Sequence, residues 1–283
     1  MTPLRQKMID QMLLRGFSVR TQRSYLDAVI KLTQYYGRSP DKITVDELQN
    51  YFLYLVKEKQ LSSASCKIYL NACRFFYLQV LGWQHYDIEI HTPKRPQRIP
   101  ELLSRKEVAR ILYACGNPKH RAMLTLCYAC GLRVSELVAL QIKHIDSERQ
   151  LLRIEQAKGA KDRPVLLTPS LLKTLRGYWQ DYHPRTWLFY GRDRRTPVSI
   201  PTAQKAFTRA KREAGVNKIG GIHSLRHAYA THQLQAGMPV YQLQRLLGHN
   251  SINTTMRYVH WIGGYHHTQG DNDLLASLEV SDE

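Results

Sequence analysis

Six side chains from residue 133 onward have types suited to chemistry on a negatively charged oxygen centre. Arginine presents a planar fork of donors that can hold two oxygens, and it does not lose its proton. A tyrosine hydroxyl, with a pKa of about 10, attacks well only when its proton is drawn away. Histidine and lysine can take that proton or give one to a leaving group. The six candidates are Arg133, Lys158, His223, Arg226, His249 and Tyr258.

Each of these residues also has an ordinary structural explanation when it is considered alone. Arg133 is followed three residues later by a glutamate, a spacing typical of an ion pair on a helix. His223 and Arg226 are three residues apart and would share one helical face as a surface pair. His249 follows a glycine, as a residue at a helix C-terminus often does. Tyr258 is one of 17 tyrosines, so residue type alone identifies no site.

Helices and one hairpin are predicted to position these residues. An apolar stretch over 122–132 indicates a buried helix that ends at a glycine. The hydrophobic period then changes over 150–167, which predicts a β-hairpin with Lys158 and Lys161 at its tip. The rest of this part of the chain is mainly helical by pattern.

The N-terminal part is predicted to be wholly helical. Ser18 is a candidate N-cap, and residues 44–47 have the capping-box pattern ahead of an apolar run. Residues 104–107 repeat that pattern where the second part begins. Between the two parts, residues 91–101 contain three prolines interleaved with basic residues, which predicts an extended basic linker.

These observations predict a mainly α protein with two domains. A helical domain occupies residues 1–90 and the linker occupies 91–101. A mixed α/β domain with a small antiparallel hairpin or sheet follows over 102–262, and an acidic tail covers 263–283.

The charge balance predicts a polyanionic partner. Lys and Arg number 41 against 23 Asp and Glu, a formal charge of +18, and no Lys or Arg follows Arg257. Hydrophobic residues make up 43% of the chain, enough for a real core and too many for a disordered polycation. A folded body this basic points most simply to nucleic acid. The alternative is solubility charge on an ordinary cytosolic protein.

The cysteines and histidines do not predict a metal site. Five scattered cysteines without a secretory segment indicate reduced thiols in the cytoplasm. Cys127 and Cys130 lack the second pair that a zinc site needs, and His260, His266 and His267 fit no common ligand spacing. No apolar run approaches the roughly 20 residues needed to span a bilayer. We expect a cytoplasmic protein with no metal, no other cofactor and no membrane partner.

Taken in order, the six candidates resemble the reactive residues of the tyrosine recombinase (phage integrase) family. The matching blocks are GLRVSELVAL, AKGAKDRPVLL, HSLRHAYATH and LQRLLGHNSINTTMRYVH. Each block carries apolar and glycine positions of the family pattern, and four ordered blocks are far more specific than one motif. The segment SVRTQRSYLDAV also resembles the family's SAM-like core-binding domain. Two blocks look Xer-like and integron-integrase-like, without the integron-specific insertion.

The resemblance implies a role for each reactive residue. Tyr258 would attack a DNA phosphate and form a 3′-phosphotyrosine. Arg133 and Arg226 would hold the non-bridging oxygens, with His249 as a third donor, and His223 would be the base.

It also implies roles for residues around this set. Lys158 at the hairpin tip would protonate the leaving 5′ oxygen, with Lys161 as its rival, and Glu136 would orient neighbouring basic groups. DNA contacts are expected from Lys94, Arg95, Lys161 and Arg163.

The family further implies a site-specific recombinase that acts on duplex DNA with paired recombination sites. A homotetramer would exchange strands through a Holliday junction without ATP. The tail holds Leu274, Leu275 and Leu278, and either docks on a neighbouring protomer or is a frayed C-terminus. Two alternatives remain: a type IB-like topoisomerase, and a DNA-binding accessory protein that has lost activity.

Overall fold

The structure is a computed structural model of the 283-residue chain. It describes residues 2–83, 100–157 and 161–262, without the side chains of 156, 157 and 161. The chain divides into two compact units, Met1–Arg98 and Ile99–Glu283, each with its own hydrophobic core. This division falls within the predicted linker.

The first unit is helical, as predicted. Ser18 accepts a hydrogen bond from the Thr21 amide, and Thr44 and Glu47 form the predicted capping box. A π-helical turn, Phe75–Val80, continues the last helix. Over its described residues, 2–83, the four α-helices are α1 (Pro3–Leu14), α2 (Val19–Tyr36), α3 (Val45–Lys57) and α4 (Ser63–Arg74).

The second unit combines helices with a small sheet. Its α-helices are α5 (Arg105–Ala114), α6 (Pro118–Ala129), α7 (Val134–Val138), α8 (Pro169–Tyr182), α9 (Ile200–Glu213), α10 (His223–Gln235), α11 (Val240–Leu247) and α12 (Ile252–Trp261). Its strands are β1 (Ile145–Asp146), β2 (Leu151–Ala157) and β3 (Lys161–Leu166), antiparallel in the order β1-β2-β3. The predicted hairpin over 150–167 is confirmed, and β1 adds a strand that the sequence did not predict. Lys161 opens β3 rather than lying in the turn.

Helix α10 lies at the centre of the second unit. It packs against α5, α6, α11 and α12, and most of its residues from Leu225 to His232 are buried. A helix buried on several sides can carry polar side chains only where they find hydrogen-bond partners. Two polar residues of this helix, Arg226 and His227, find such partners and belong to the candidate site.

Among the described helices, none combines the length and the apolar character that a membrane crossing requires.

Candidate active site

The carboxylate of Glu136 joins two arginines at the start of α7. Its Oε1 accepts from Arg133 Nη1 at 2.8 Å and from Arg163 Nη1 at 3.0 Å. Its Oε2 accepts from the Arg133 amide at 2.9 Å and from Arg163 Nη2 at 2.8 Å. Burial alone would raise the pKa of Glu136, but the bonds and charges of Arg163 and Arg133 outweigh it and lower that pKa to about 2. Glu136 is therefore ionised at any physiological pH and fixes both guanidinium groups.

Arg163 was expected to contact DNA, and the structure gives it an internal position instead. The residue is 7% exposed. Besides its two bonds to Glu136, its Nε donates to the Leu246 carbonyl at 2.8 Å. Arg163 thus links β3 to the end of α11, and its donors face the protein interior. Sequence could not distinguish this arginine from a surface one, because its partner lies 27 residues away.

Arg133 keeps part of its guanidinium open. It is the N-cap residue of α7, and its Nη2 donates to the Gly248 carbonyl at 3.2 Å. Its side chain is 20% exposed, against 4% for the carboxylate that holds it. Arg133 is therefore the arginine of this cluster that presents charge to an incoming anion.

Arg226 is buried, with 1% of its surface exposed. Its Nη1 donates to the Gly131 carbonyl and its Nη2 to the Leu247 carbonyl, both at 2.7 Å. Burial, followed by the charge of Arg133, lowers the pKa of Arg226 to about 10, which still leaves it protonated at neutral pH. These bonds tie α10 to the ends of α6 and α11 and hold a fixed positive charge inside the site.

Two glycines allow these arginines to approach the backbone. Gly131 has φ +57°, and a Cβ there would lie 2.3 Å from the ring of Tyr229. Gly248 has φ +61°, and a Cβ there would lie 2.9 Å from Arg163 Nη1. Since their carbonyls accept from Arg226 and Arg133, both positions need glycine for conformation and for space.

His249 accepts a hydrogen bond in this structure, although the sequence predicts a donor. Its Nε2 lies 3.0 Å from Arg226 Nη2, and an arginine nitrogen can only donate. Its proton is therefore on Nδ1, which lies 2.9 Å from Thr255 Oγ1. Burial and then the charges of Arg226 and Arg133 lower the pKa of His249 to about 3, in keeping with a neutral ring.

Tyr258 lies on α12 and reaches the same cluster. It is 4% exposed, and its ring lies parallel to that of His249, with centroids 6.2 Å apart. Burial raises the pKa of Tyr258, while the charge and hydrogen bonding of Arg226 partly offset that effect. The hydroxyl is thus within reach of a guanidinium of its own chain, and its other neighbour is His227 Nδ1 at 3.2 Å.

His227 is the residue of this site that sequence reasoning missed. The predicted base, His223, is exposed at the start of α10, and its ring meets that of His227 edge to face at 4.6 Å. The structure brings His227, not His223, into hydrogen-bond range of the Tyr258 hydroxyl. A signal was available, because His227 lies four residues after His223 and shares its helical face.

Some predicted residues cannot be located. Lys94, Arg95 and Lys158 lie outside the described residues, as do His266, His267 and the tail. For Lys161 only the backbone is described. Within the described part of the chain, no three His, Cys, Asp or Glu side chains are grouped as metal ligands would be.

Family models match both parts of the chain. Residues 101–262 match the Phage integrase family, and residues 4–85 match the Phage integrase, N-terminal SAM-like domain. The SAM-like model ends before the predicted linker, and the Phage integrase model begins at the last linker residue, 101. Together they cover most of the sequence.

Relatives with similar sequences carry matching names. The chain is 42% identical over 260 residues to y4qK of Sinorhizobium fredii, which has the provisional name integrase/recombinase; this covers 92% of the chain and 84% of the relative. It is 30% identical to an integrase/recombinase of Escherichia coli, over 91% of the chain and 90% of the relative.

Solved structures show the same fold. XerH bound to a palindromic difH substrate matches with a TM-score of 0.70 at 22% identity, over 87% of this chain and 78% of XerH. A lambda integrase dimer bound to a core site matches with a TM-score of 0.73 at 20% identity, over 93% and 79%. The chain therefore belongs to the phage integrase family and is a tyrosine recombinase, a DNA strand transferase that carries out site-specific recombination.

Proposed function

We propose that Tyr258 is the nucleophile of this recombinase and that it acts within its own protomer. The observation that carries the proposal is the position of its hydroxyl, beside the buried Arg226 and in the same chain. Attack of Oη on a DNA phosphorus would form a 3′-phosphotyrosine and release a 5′ hydroxyl. Because a phosphoester bond to Tyr258 replaces the one that is broken, the strand can be resealed without ATP.

Arg133 and Arg226 are proposed to bind the two non-bridging oxygens of the scissile phosphate. Arg226 is pre-positioned by two carbonyls, and Arg133 by Glu136. Donors that are held in place before the reaction each contribute about 3–4 kcal/mol to transition-state stabilisation. Fixed charge of this kind supports catalysis by side chains alone.

His249 is proposed to become the third donor only when DNA is bound. Its Nε2 now accepts from Arg226, so it must gain a proton there before it can donate. A bound phosphodiester supplies a negative charge, which raises the pKa of a nearby imidazole and favours its protonated form. The phosphate would also compete for the Arg226 donor that His249 now uses.

Lys158 is proposed to protonate the leaving 5′ oxygen, with Lys161 as the alternative. The hairpin β2–β3 supports this role, because in the sequence Lys158 follows directly after the end of β2 and precedes β3. DNA contacts are proposed for the linker residues Lys94 and Arg95. Glu136 acts through the arginines that it holds rather than on the phosphate.

Duplex DNA is the partner, and the finer assembly is a proposal. We propose a homotetramer on paired recombination sites that exchanges strands through a Holliday junction. The tail over 263–283 would dock on a neighbouring protomer. The two compact units and the two family models support a core-binding domain over 1–90 and a catalytic domain over 102–262. Five free, buried cysteines support a cytoplasmic location.

The test is covalent capture of DNA. Purified protein is incubated with a library of nicked duplexes, whose short 5′-hydroxyl fragment diffuses away after cleavage. We expect DNA that stays attached to the protein in denaturant, and sequencing that DNA identifies the target. Loss of attachment in Tyr258→Phe is the expected control, and attachment that survives this change contradicts the proposal.

A second assay separates recombination from relaxation. A supercoiled plasmid with two copies of the recovered site should yield deleted or inverted products. Topoisomers alone would indicate topoisomerase activity. DNA binding without either product would indicate an accessory protein.

A further inference from the structure

The Tyr258 hydroxyl has an arginine donor and a histidine ring nitrogen as its neighbours. Arg226 acts on its oxygen as a donor and a positive charge. An arginine has no acceptor, so the phenolic proton is free to point elsewhere. The other neighbour is His227 Nδ1, 3.2 Å away. A neutral His227 with its proton on Nε2 would accept the hydroxyl proton from this position.

His227 is held as a neutral ring, and the tautomer with its proton on Nε2 presents a lone pair at Nδ1 to the hydroxyl. Burial, followed by the charges of His223, Arg226 and Arg257, lowers the pKa of His227 to about 4. The ring is wedged edge to face between His223, at 4.6 Å, and Trp261, at 5.1 Å. Groups of α10 and α12 thus set both the charge state and the orientation of the imidazole.

His223 has a different environment from His227. It is exposed at the first position of α10, whereas His227 lies one turn further into the helix and against α12. The same helical face thus offers one histidine to solvent and one to the tyrosine hydroxyl. An exposed His223 is free to contact the DNA phosphate.

We propose that His227 is the proton acceptor for Tyr258, an inference that rests on the proposed function. In the step, the bond between Tyr258 Oη and the DNA phosphorus forms while the bond from phosphorus to O5′ breaks. The Oη proton moves to His227 Nδ1, giving an imidazolium, and the leaving oxygen takes a proton from Lys158. Resealing runs in reverse and returns the proton to Tyr258.

The pH dependence of cleavage tests this role. Without an acceptor, cleavage must use the small fraction of Tyr258 that is already ionised, and burial raises the pKa of that hydroxyl. His227→Asn should therefore cleave about 10²–10⁴-fold more slowly at pH 7. Its rate should rise about tenfold per pH unit from pH 6.5 to 9. The unmodified protein should show a nearly flat profile over that range.

His232→Asn is the matched control. His232 lies on the same helix and bonds a tyrosine hydroxyl through the same nitrogen, with 2.9 Å between its Nδ1 and Tyr128 Oη. A purely structural role for a buried histidine–tyrosine bond would affect both variants alike. We expect His232→Asn to keep the flat profile, with DNA binding measured for both variants.

A modified substrate separates the base from the acid. A 5′-bridging sulfur leaves without protonation, because a thiol is far more acidic than an alcohol. This substrate should restore cleavage to Lys158→Ala but not to His227→Asn.

The outcomes distinguish this inference from the proposed function. A flat profile at the unmodified rate in His227→Asn would overturn the inference alone, and so would a steep profile that appears in His223→Asn instead. Covalent attachment that survives Tyr258→Phe would overturn the proposed function itself.

Discussion

Helix α10 carries two histidine–tyrosine pairs with the same bond and different surroundings. His227 Nδ1 lies 3.2 Å from Tyr258 Oη, and His232 Nδ1 lies 2.9 Å from Tyr128 Oη. The two histidines are five residues apart, so their side chains point about 140° apart around the helix. One pair faces α12 and the other faces α6.

The difference between the pairs lies in the charges around them. Arg226, Arg257 and Arg133 all act on the Tyr258 hydroxyl and partly offset the rise in its pKa that burial causes. Around the second pair, Arg105 is the one charge of the described residues that acts on Tyr128, and that arginine donates to the His232 carbonyl. A histidine–tyrosine hydrogen bond alone therefore indicates only packing. The arginines near Tyr258 make the His227–Tyr258 pair a candidate for chemistry.

Removing the tyrosine hydroxyl of each pair in turn should give the largest difference between the two pairs. Tyr258→Phe should lower covalent attachment to DNA by at least about 10⁴-fold, because no other group can take its place. Tyr128→Phe should leave attachment unchanged and cost about 1 kcal/mol of folding stability, the value of one hydrogen bond. Gel analysis of trapped complexes and chemical denaturation measure the two effects. Equal losses of attachment would remove the distinction between the pairs.

Changing the arginine of each pair should have the next largest effect. Arg226→Lys should slow cleavage about 10²–10³-fold, since one ammonium nitrogen cannot replace the planar fork of donors that reaches two carbonyls and an oxyanion from separate nitrogens. The control is Arg105→Lys beside the second pair, which should cleave at the unmodified rate. Single-turnover kinetics on a nicked substrate measure both variants. A normal rate in Arg226→Lys would show that point charge alone is sufficient.

Neutralising the carboxylate behind the arginines should cost stability. Glu136→Gln leaves the buried Arg163 without its counter-charge, and we expect a loss of about 3 kcal/mol. Glu155→Gln is the control, because Glu155 is 36% exposed and lies 3.2 Å from His144 Nε2 without forming a hydrogen bond, so its loss should cost much less. Urea unfolding measures both. Equal losses would mean that the Glu136 cluster is no stronger than a surface ion pair.

Acid should lower the free energy of unfolding by a smaller amount, and gradually as the pH falls. The folded pKa values of His227 and His249, about 4 and about 3, lie below the unfolded value of about 6.5. The unfolded chain therefore binds more protons, so stability is complete above pH 6.5 and falls as pH decreases toward 4. His249→Asn should show a shallower fall between pH 7 and 5. An unchanged slope would mean that His249 is already charged in the folded protein.

Much of the fold could be read from the sequence because its signals are local. Ser18, Thr44 and Ser104 cap the helices that their spacing predicts, and the change of period at 150–167 is the β2–β3 hairpin. These features depend on residues within a few positions of one another. Local rules therefore suffice for them.

The site was only partly predictable because its contacts join distant segments. The order of the motif residues predicted that Arg226 and Tyr258 meet, and their proximity agrees with that expectation. The burial of Arg163, the accepting role of His249 and the contact between His227 and Tyr258 depend on partners 27, 23 and 31 residues away. The short strand β1 likewise forms only because β2 pairs with it.

Gly131 and Gly248 give the site a weakness that an inventory of its reactive groups does not reveal. One added methyl group at either position would strike Tyr229 or Arg163 while every acid, base and nucleophile stayed in the sequence. A gene that acquires such a substitution would encode a protein with every motif residue present and a misaligned active site. Whether a related protein is active therefore depends on the glycines that permit close backbone packing as well as on the reactive residues.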